Sequence, residues 1–327
     1  MSNNISNNMP NSRFLLIKAL GKSIWAEVDH VICQIFAAEL TNRSPIVYWG
    51  IESLYSESMS TNAYELFFEP ISQYTVHGIA RKEYSFYPPS WRYENVLAED
   101  TDRLKMEYRD LNSIMKSNAN VVVSDVYYPL RSLMPWIKKD HWAYGKTPHQ
   151  IYRQLFDKYL KLKPEIKKEI QKFINSNPNF RDEKPIIGVH VLGNAIATEV
   201  AQIYDLNEFY KPNVWQFIVR YNARHLFVIT DSNKILRQYK KLYDKNDLLI
   251  YTDSKKTPFR ERIATCLLSY PNKRHKGVEV IKDTIEIIKD TYLVSQCDFF
   301  IGNGYSNLSN TVMRLRDWPE TNIKLLY

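Results

Sequence analysis

Four short segments of the chain combine residue types that can bind or transform a ligand. The richest begins at Asp290 and ends at Ser309: a helical pattern leads into the apolar run FFIG and then into a turn that contains Gly304, Ser306 and Asn307. Glycines followed by a hydroxyl at a helix start can leave backbone N–H groups available to a phosphate. A glycine turn with an ordinary serine N-cap gives the same pattern, so these residues alone leave both interpretations open.

Two further segments follow apolar runs in the second half of the sequence. In IIGVHVLGNAIATE the run ends near His190, Gly193 comes just after it, and Glu199 stands at a predicted helix start. His190 can hydrogen-bond a ligand there or complete the edge of a core. Glu199 can be a general base or an acid that the helix dipole favours. Asp231 and Ser232 follow the run HLFVI. Either residue can cap the next helix, and Asp231 can also lie near a ligand.

The fourth segment, LGKSIWAEVDH, lies between the first predicted strand and the first predicted helix. Its loop can direct backbone N–H groups at a phosphate or a sugar hydroxyl. Asp29 and His30 occupy the early turns of the helix, where they can face a ligand. The alternative is structural: Asp29 interacts with the helix dipole and His30 completes the edge of the core.

The sequence carries none of the common zinc patterns. Its seven His form no HExxH motif and its Cys form no CxxC pair, so neither structural nor catalytic zinc is expected. The three Cys lie far apart in apolar segments, which is typical of a protein from a reducing cytosol rather than of a disulfide framework. We therefore expect no metal cofactor and a cytoplasmic location.

The start of the chain and its hydropathy support the same location. The first twelve residues, MSNNISNNMPNS, are polar, so residues 1–12 are predicted to be disordered, and they lack the basic and apolar blocks of a signal peptide. The sequence has no apolar run of the roughly 18 residues that a membrane span needs. A transmembrane segment is not expected.

The charge of the chain is strongly positive, and much of the excess is local. The net charge is +8, and residues 138–172 contribute +6 through nine Lys and Arg153 against four acids. A basic run of this kind binds an anionic partner or forms the solvated face of a helix. The run is amphipathic and rich in Lys, without the Arg, Gly and interleaved aromatics typical of nucleic-acid binding. A solvated face is therefore favoured, and no nucleic-acid partner is expected.

Short apolar runs alternate with helical patterns along the chain. Such alternation is typical of parallel sheets covered by helices on both faces, and 327 residues are enough for two such units. The predicted strands are Arg13–Lys18, Ile46–Trp49, Val121–Ser124, Ile186–Val191, Leu226–Thr230, Leu248–Tyr251, Phe299–Gly302 and Ile323–Leu326. The predicted helices are Trp25–Leu40, Glu99–Lys116, a pair around Pro164, Trp215–Tyr221, Lys234–Tyr243 and Val278–Ser295.

The predicted class is therefore α/β with two Rossmann-like domains. Residues 13–150 form the N-terminal domain, residues 151–183 a helical linker, and residues 184–327 the C-terminal domain. In open parallel sheets a ligand binds beyond the carboxyl ends of the strands, so the residues that follow the strands are the site candidates.

Together these segments resemble the α1,6-fucosyltransferases and nodulation fucosyltransferases, and more distantly the protein O-fucosyltransferases. The likeness covers most of the chain after residue 12 and is weak over residues 51–120. It is carried by four segments in a fixed order: Arg13–Trp49 with its TNRSPIVYW, Gly188–Leu192, Val228–Ser232 and Ser295–Ser309. The resemblance implies a GT-B fold, in which two Rossmann-like domains with parallel sheets face a cleft. It also implies GDP-fucose as donor, a glycan or protein as acceptor, inversion at the sugar carbon and no metal.

The resemblance further implies roles for single residues. His190 and Asp290 would contact guanine, and Ser306 would meet phosphate. Glu199 would be the base that deprotonates the acceptor hydroxyl, and Asp231 would lie near the nucleotide sugar. The whole nucleotide-binding set would be His190, Gly193, Asp290, Gly304, Ser306, Asn307 and Arg260. Asp29 and His30 would lie on the acceptor side.

One departure from the family pattern concerns the diphosphate. The family has Arg after the His-Val of its strand end, whereas this chain has Leu192, and Ala195 and Ile196 replace an Asp and a Lys. Loss of a bidentate cation weakens diphosphate binding and transition-state stabilisation. Three interpretations follow: Arg260 or Arg262 supplies the cation, the donor differs, or the protein binds a nucleotide, glycan or protein without turnover.

A metal-dependent GT-A transferase is the remaining alternative, because Asp100 and Asp102 form a DxD pattern. In that fold the motif follows an apolar strand and holds a metal ion. Here it opens a predicted helix after a Pro-rich loop, where acids interact with the helix dipole. We reject this alternative.

Overall fold

A computed structural model describes residues 13–50, 53–56, 61–97, 109–192, 202–244, 247–252 and 278–326. These residues contain two parallel sheets with helices packed around them. The strands are β1 (Phe14–Lys18), β2 (Ser44–Tyr48), β3 (Phe86–Tyr87), β4 (Val121–Ser124), β5 (Ile186–Val191), β6 (His225–Thr230), β7 (Leu249–Ile250), β8 (Phe299–Asn303) and β9 (Ile323–Leu326). The helices are α1 (Ile24–Leu40), α2 (Val76–Ile79), α3 (Leu111–Lys116), α4 (Leu130–Leu133), α5 (Pro148–Tyr159), α6 (Pro164–Ser176), α7 (Pro178–Asp182), α8 (Gln202–Tyr221), α9 (Asn233–Tyr243), α10 (Val278–Val294) and α11 (Asn307–Leu315).

The N-terminal sheet has the strand order β2-β1-β4-β3, and its pairs are parallel. Leu16 of β1 lies opposite Ile46 on one side and Val123 on the other. Every residue of β1 and β4 is buried, because helices or loops cover both faces of these central strands. The strand order reverses between β1 and β4, so the carboxyl ends of these two strands, at Lys18 and Ser124, define the N-terminal switch point.

The C-terminal sheet has the order β7-β6-β5-β8-β9 and is also parallel. From β5 the chain runs through β6 to β7 at one edge, and then crosses back to β8 and β9 on the other side of β5. The carboxyl ends of β5 and β8, at Val191 and Asn303, therefore define the C-terminal switch point. A ligand in an open parallel sheet is expected at such a point.

The helices between the sheets share one buried apolar cluster with them. It includes Val28 of α1, Leu155 of α5, Ile166 of α6, Ile288 of α10 and Phe300 of β8. Because burial of this shared surface is lost if the two halves separate, it holds both sheets and the helices between them in one arrangement. None of the helices within the described ranges is long and apolar enough to cross a membrane.

The predicted α/β class with two Rossmann-like halves is confirmed. The strands Val121–Ser124, Ile186–Val191 and Ile323–Leu326 have the predicted bounds, and the helix pair around Pro164 is present as α5 and α6. In the sequence, the strands of the N-terminal sheet precede this helix pair and those of the C-terminal sheet follow it, which is compatible with the predicted domains. The boundaries of those domains stay a prediction.

Two predicted helices differ from those observed. The prediction started a helix at Trp215, whereas α8 begins at Gln202 and continues through Pro212. Within the described residues, the predicted helix Glu99–Lys116 contains α3, where Asp110 caps the first turn by accepting a hydrogen bond from the Ser113 N–H. Residues 98–108 lie outside the described residues.

Candidate functional site

A cleft of about 280 Å³ opens at the C-terminal switch point. One wall comes from the N-terminal half of the molecule and the other from the C-terminal sheet and its helices. The first wall consists of the β1–α1 junction and a loop residue: Ser23, Ile24, Trp25 and Tyr55. The polar residues of the second wall are His190, Thr230, Asp231, Thr284, Asp290, Tyr305, Ser306 and Asn307. Residues from both halves therefore face one another across the cleft.

His190 lies near the end of β5 and is almost fully buried. Its Nδ1 is 2.8 Å from Ser309 Oγ, and the Asn303 N–H donates to the same Oγ over 3.0 Å. Ser309 either donates its own proton to Nδ1, with the ring proton of His190 on Nε2, or accepts from an Nδ1–H as well as from the amide. Burial lowers the pKa of His190 to about 3, so the ring is neutral near pH 7. The cleft therefore has a neutral imidazole at this position.

Gly302 makes room for the contact between Ser309 and His190. A Cβ on Gly302 would lie 2.6 Å from Ser309 Oγ and 2.6 Å from Phe300 Cζ. Non-bonded atoms do not approach so closely. A larger residue at position 302 would therefore displace Ser309 Oγ from its place beside His190. The sequence interpretation included Gly304 but did not assign a role to Gly302 or Ser309.

The turn after β8 presents the start of α11 to the cleft. Asn303 Oδ1 accepts from the Tyr305 N–H over 2.8 Å, and Ser306 caps α11 by accepting from the Ser309 N–H over 3.5 Å. The N–H groups of Asn307 and Leu308 belong to the first turn, where a helix offers them no acceptor. Both residues line the cleft. The predicted phosphate cradle therefore has suitable geometry, and its role stays a prediction.

Asp290 is buried on α10 and lines the cleft. Thr252, two residues after β7, donates from Oγ1 to Asp290 Oδ1 over 2.8 Å. This bond fixes the carboxylate in one orientation. A fixed carboxylate in a cleft can accept hydrogen bonds from ligand N–H groups.

Asp231 also lines the cleft, directly after β6. The neighbouring Ser232 caps α9, with its Oγ accepting from the Ile235 N–H over 3.4 Å. Of the two candidates for the cap, the serine thus has that role.

A hydrogen bond joins the two walls of the cleft. Trp25 Nε1 of α1 donates to Thr291 Oγ1 of α10 over 3.0 Å, and the ring of Trp25 lies 6.5 Å from that of Tyr292. The position of α1 beside the C-terminal sheet is therefore fixed next to the ligand cleft.

Asp29 joins the same two halves through an ion pair. Its Oδ1 lies 2.5 Å from Arg314 Nη1 of α11, and the Tyr127 hydroxyl donates to its Oδ2 over 2.5 Å. The Arg314 guanidinium also stacks on the Tyr152 ring at 3.6 Å. His30, the next residue, is fully buried, with its ring 6.4 Å from that of Tyr127. The predicted acceptor-side roles of Asp29 and His30 stay predictions.

The loop at the start of α1 is held by a residue that the sequence interpretation missed. Glu27 is fully buried, and its carboxylate accepts from the N–H groups of Leu20, at 2.9 Å and 3.0 Å, and Lys22, at 2.7 Å. Two of the N–H groups expected to face a ligand therefore bond inside the protein. The sequence offers one indication of this role, namely an acid in the first turn of the helix. An acid at that position is equally well explained by an interaction with the helix dipole.

Several predicted site residues lie outside the described residues. These are Gly193, Glu199, Arg260 and Arg262. The DxD pattern at Asp100 and Asp102 lies outside them as well. Within the described part of the chain, no group of three or more His, Cys, Asp or Glu side chains is arranged to hold a metal ion.

The comparisons with known proteins concern the fold. No protein-family model matches the sequence, and no curated protein matches it. A crystal structure of NodZ α-1,6-fucosyltransferase soaked with GDP-fucose superposes with a TM-score of 0.54 over 93% of this chain and 92% of that one, at 18% identity.

Two other solved structures are similar over nearly the whole chain. POFUT1 in complex with GDP has a TM-score of 0.55 and 12% identity, and covers 97% of this chain and 98% of its own. A mutant of Arabidopsis thaliana FUT1 in complex with GDP has a TM-score of 0.56 and 9% identity, and covers 97% of this chain and 70% of its own. The chain therefore has the GT-B fold of these fucosyltransferases, as the sequence resemblance implied.

Proposed function

We propose that the protein is a glycosyltransferase that transfers fucose, or a related sugar, from a GDP-sugar to a glycan or protein acceptor. One observation carries this proposal: the C-terminal switch point combines a neutral His190, the exposed start of α11 and a fixed Asp290 in one cleft. A nucleoside diphosphate has the complementary groups, namely a base with polar edges and an anionic diphosphate. The fold shared with GDP-bound fucosyltransferases supports the same donor.

In this proposal the donor lies along the C-terminal domain, residues 184–327. The carboxylate of Asp290 accepts from the adjacent N–H groups that guanine, unlike adenine, presents, and His190 donates from Nε2. The diphosphate lies at the first turn of α11, where the N–H groups of Asn307 and Leu308 and the helix dipole stabilise negative charge. The sugar then points toward Asp231 and the wall formed by α1.

The proposed reaction is an inverting displacement without a metal ion. The acceptor hydroxyl oxygen forms a bond to C1 of the sugar while the bond from C1 to the diphosphate oxygen breaks, and its electron pair leaves with GDP. The hydroxyl proton passes to a carboxylate, for which Glu199 is the proposed base. The start of α11 stabilises the charge that develops on the leaving diphosphate. Arg260 and Gly193 belong to the proposed donor-binding set.

A donor screen tests this proposal. The protein is incubated with GDP-fucose, GDP-mannose, UDP-sugars and dTDP-sugars, with and without EDTA, and nucleotide release is measured together with the anomeric form of the product. We expect GDP release from a GDP-sugar that persists in EDTA and yields an inverted product. Glu199→Gln should reduce turnover by about 100-fold or more while GDP binding stays within a few-fold of the wild type. Release that requires a metal, or that is fastest with a UDP-sugar, would contradict the proposal.

A second candidate function has its own observation. Leu192 lines the cleft where the family resemblance expects the diphosphate-binding arginine. A protein that binds a GDP-sugar without transferring it would tolerate the absence of this arginine. Binding the GDP-sugar requires less stabilisation of negative charge than the transition state of transfer does. Tight GDP-sugar binding with no turnover across glycan and peptide acceptors would favour this candidate.

A further inference from the structure

Helix α11 is held at its two ends by different parts of the molecule. Its start is fixed to the turn after β8 by the Ser306 cap, and there Asn307 and Leu308 line the cleft. At its other end Arg153 of α5 donates to the Leu315 carbonyl over 2.5 Å. A cation at this end satisfies a carbonyl of the last turn and stabilises the negative end of the helix dipole. The direction of α11 is therefore set by contacts at both of its ends.

The last turn of α11 also binds α1, through the ion pair of Arg314 with Asp29. Arg314 Nη1 lies 2.5 Å from Asp29 Oδ1, and the guanidinium stacks on the Tyr152 ring at 3.6 Å. The second oxygen of Asp29 accepts from the Tyr127 hydroxyl. The side chains of Arg314 and Asp29 are only 19% and 12% exposed, so water and salt screen their attraction less than that of a surface pair. The ion pair is therefore a fixed joint between α1 and α11.

Helix α1 carries the opposite wall of the cleft one turn away from this joint. Trp25 lines the cleft, and Asp29 lies four residues further along α1, so both side chains are on the same face of the helix. On this face Trp25 Nε1 donates to Thr291 Oγ1 of α10 over 3.0 Å. The first turns of α1 and α11 thus face each other across the cleft, and Asp29 and Arg314 join the two helices beside it.

The length of α11 determines how strongly this joint acts on the cleft. The helix has nine residues, which span about 12 Å from the first to the last at a rise of about 1.5 Å per residue. A change of about 10° in its direction therefore moves one end relative to the other by about 2 Å. An N–H···O bond is formed at about 2.7–3.2 Å between nitrogen and oxygen, so a shift of this size is enough to break it.

We propose that Asp29 and Arg314 are positioning residues for the donor, because their ion pair sets the distance between α1 and the start of α11. This inference rests on the proposed function, in which the N–H groups at the start of α11 bind the diphosphate. Asp29 then acts on the donor through Arg314 and the direction of α11. The N-terminal half of the molecule thereby contributes to diphosphate affinity by placing a helix of the C-terminal half.

Calorimetric titrations of GDP and of guanosine, both in EDTA, test this inference. The variants are Asp29→Asn, Arg314→Met, the double variant and Glu39→Gln. Glu39 is the matched control, because it also lies on α1 and forms an ion pair of 2.6 Å, but its partner is Lys158 of α5 and it does not line the cleft. We expect Asp29→Asn and Arg314→Met each to weaken GDP binding about 5- to 10-fold and guanosine binding less than about 2-fold, since the displaced helix start binds only phosphate. Glu39→Gln should bind GDP like the wild type.

A double-mutant cycle in GDP affinity shows whether the two residues act as one unit. The double variant should bind GDP about as well as Arg314→Met alone, because the joint can be lost only once. Arg314→Lys keeps a positive charge next to Asp29 and should retain more GDP affinity than Arg314→Met. It also provides the comparison with Asp29→Asn if Arg314→Met does not fold.

Three results would overturn the inference: wild-type GDP affinity in Asp29→Asn, an equal loss of GDP and guanosine affinity, and additive losses in the double variant. Wild-type GDP affinity in Asp29→Asn would favour the acceptor-side role that the family resemblance implies for Asp29. Failure of the wild type to bind GDP at all would instead contradict the proposed function itself.

Discussion

The two switch points of the molecule have the same topology but different contents. At the N-terminal one, beyond β1 and β4, the protein fills the space with its own side chains. Arg109 binds both carboxylate oxygens of Asp125 at 2.6 Å, and Trp91 Nε1 donates to the same carboxylate over 3.1 Å. Lys18 donates to the Val96 carbonyl over 2.8 Å and lies 4.8 Å from the Trp91 ring.

At the C-terminal switch point the corresponding space is a cleft. His190, Asp290 and the start of α11 are each held by a neighbour, and each still lines the cleft. Parallel topology therefore provides a place where a ligand can bind, but side chains decide whether the place stays open. The comparison explains why we propose that the C-terminal half makes the main contacts with the donor, while Ser23, Ile24, Trp25 and Tyr55 of the N-terminal half form the opposite wall of the cleft.

The largest expected effect concerns the filled switch point. The side chains of Arg109 and Asp125 are only 5% and 1% exposed, so Arg109→Met leaves a buried carboxylate without its main counter-charge. We expect a loss of about 3–5 kcal/mol in the free energy of unfolding, measured with urea, and no change in GDP affinity of the folded protein. Arg109→Met/Asp125→Asn should recover much of the stability, because the amide oxygen still accepts from Trp91. A loss of GDP affinity in either variant would break the comparison.

The second-largest expected effect concerns the C-terminal switch point, where the cleft lies. In Gly302→Ala the added methyl group would lie 2.6 Å from Ser309 Oγ, so Ser309 must move away from His190. We expect a loss of up to about 3 kcal/mol in stability from overpacking, together with weaker GDP binding. Gly188→Ala is the control within the same sheet, since its methyl group would meet Cys297 at 3.3 Å and leave the cleft unchanged. Normal GDP affinity in Gly302→Ala would show that the Ser309 contact does not shape the site.

The pH dependence of stability reports on His190. The pKa of this ring is about 3 in the folded protein, whereas an unfolded His has a pKa of about 6.5. The unfolded chain therefore binds a proton that the native state excludes, and stability falls as the pH drops below about 6.5. Between pH 7 and pH 5 we expect His190 to contribute a loss of about 2 kcal/mol, measured as the difference between the wild type and His190→Gln. Identical pH profiles would mean that the ring is not buried as a neutral group.

The smallest expected effect comes from Ser309. In Ser309→Ala the ring of His190 loses its hydrogen-bond partner at Nδ1, and the Asn303 N–H loses its acceptor. We expect GDP affinity to fall by about 1 kcal/mol, or roughly 5-fold, in a calorimetric titration. Ser306→Ala provides the comparison, since it removes the cap of α11 and leaves the His190 contact intact. A larger loss of GDP affinity in Ser306→Ala than in Ser309→Ala would mean that the start of α11 contributes more to GDP binding than the orientation of the His190 ring does.

Much of the fold could be predicted because the central strands are buried on both faces. The runs VVV of β4 and IIGVHV of β5 are short, apolar and flanked by turn residues, so their positions are evident from the sequence. Helix α8 was predicted too short because proline normally interrupts a helix, and Pro212 is accommodated inside this one. The two-residue β3 has too few residues for any periodic pattern and is recognisable only through its pairing with β4.

The candidate site was harder to predict than the fold. His190 and Asp231 could be proposed because they lie at or just after the carboxyl end of an apolar strand, where a ligand is expected. The role of Asp290 was proposed from the family resemblance. Ser309 and Gly302 could not be proposed from the sequence. Their importance depends on the contact between Ser309 and His190, which only the tertiary structure shows. The ion pair of Asp29 joins it to a residue 285 positions away in sequence, and only the tertiary structure brings the two together.

Hydrogen exchange in the presence of GDP tests the central claim most directly. The native protein is saturated with GDP in EDTA, and protection of backbone amides is compared with that of the free protein by mass spectrometry. We predict slower exchange in a peptide that spans Asn303–Ser309 and no change in a peptide that spans Val121–Tyr128, at the filled switch point. Protection at the N-terminal switch point instead, or no protection anywhere under saturating GDP, would contradict the assignment of the donor to the C-terminal cleft.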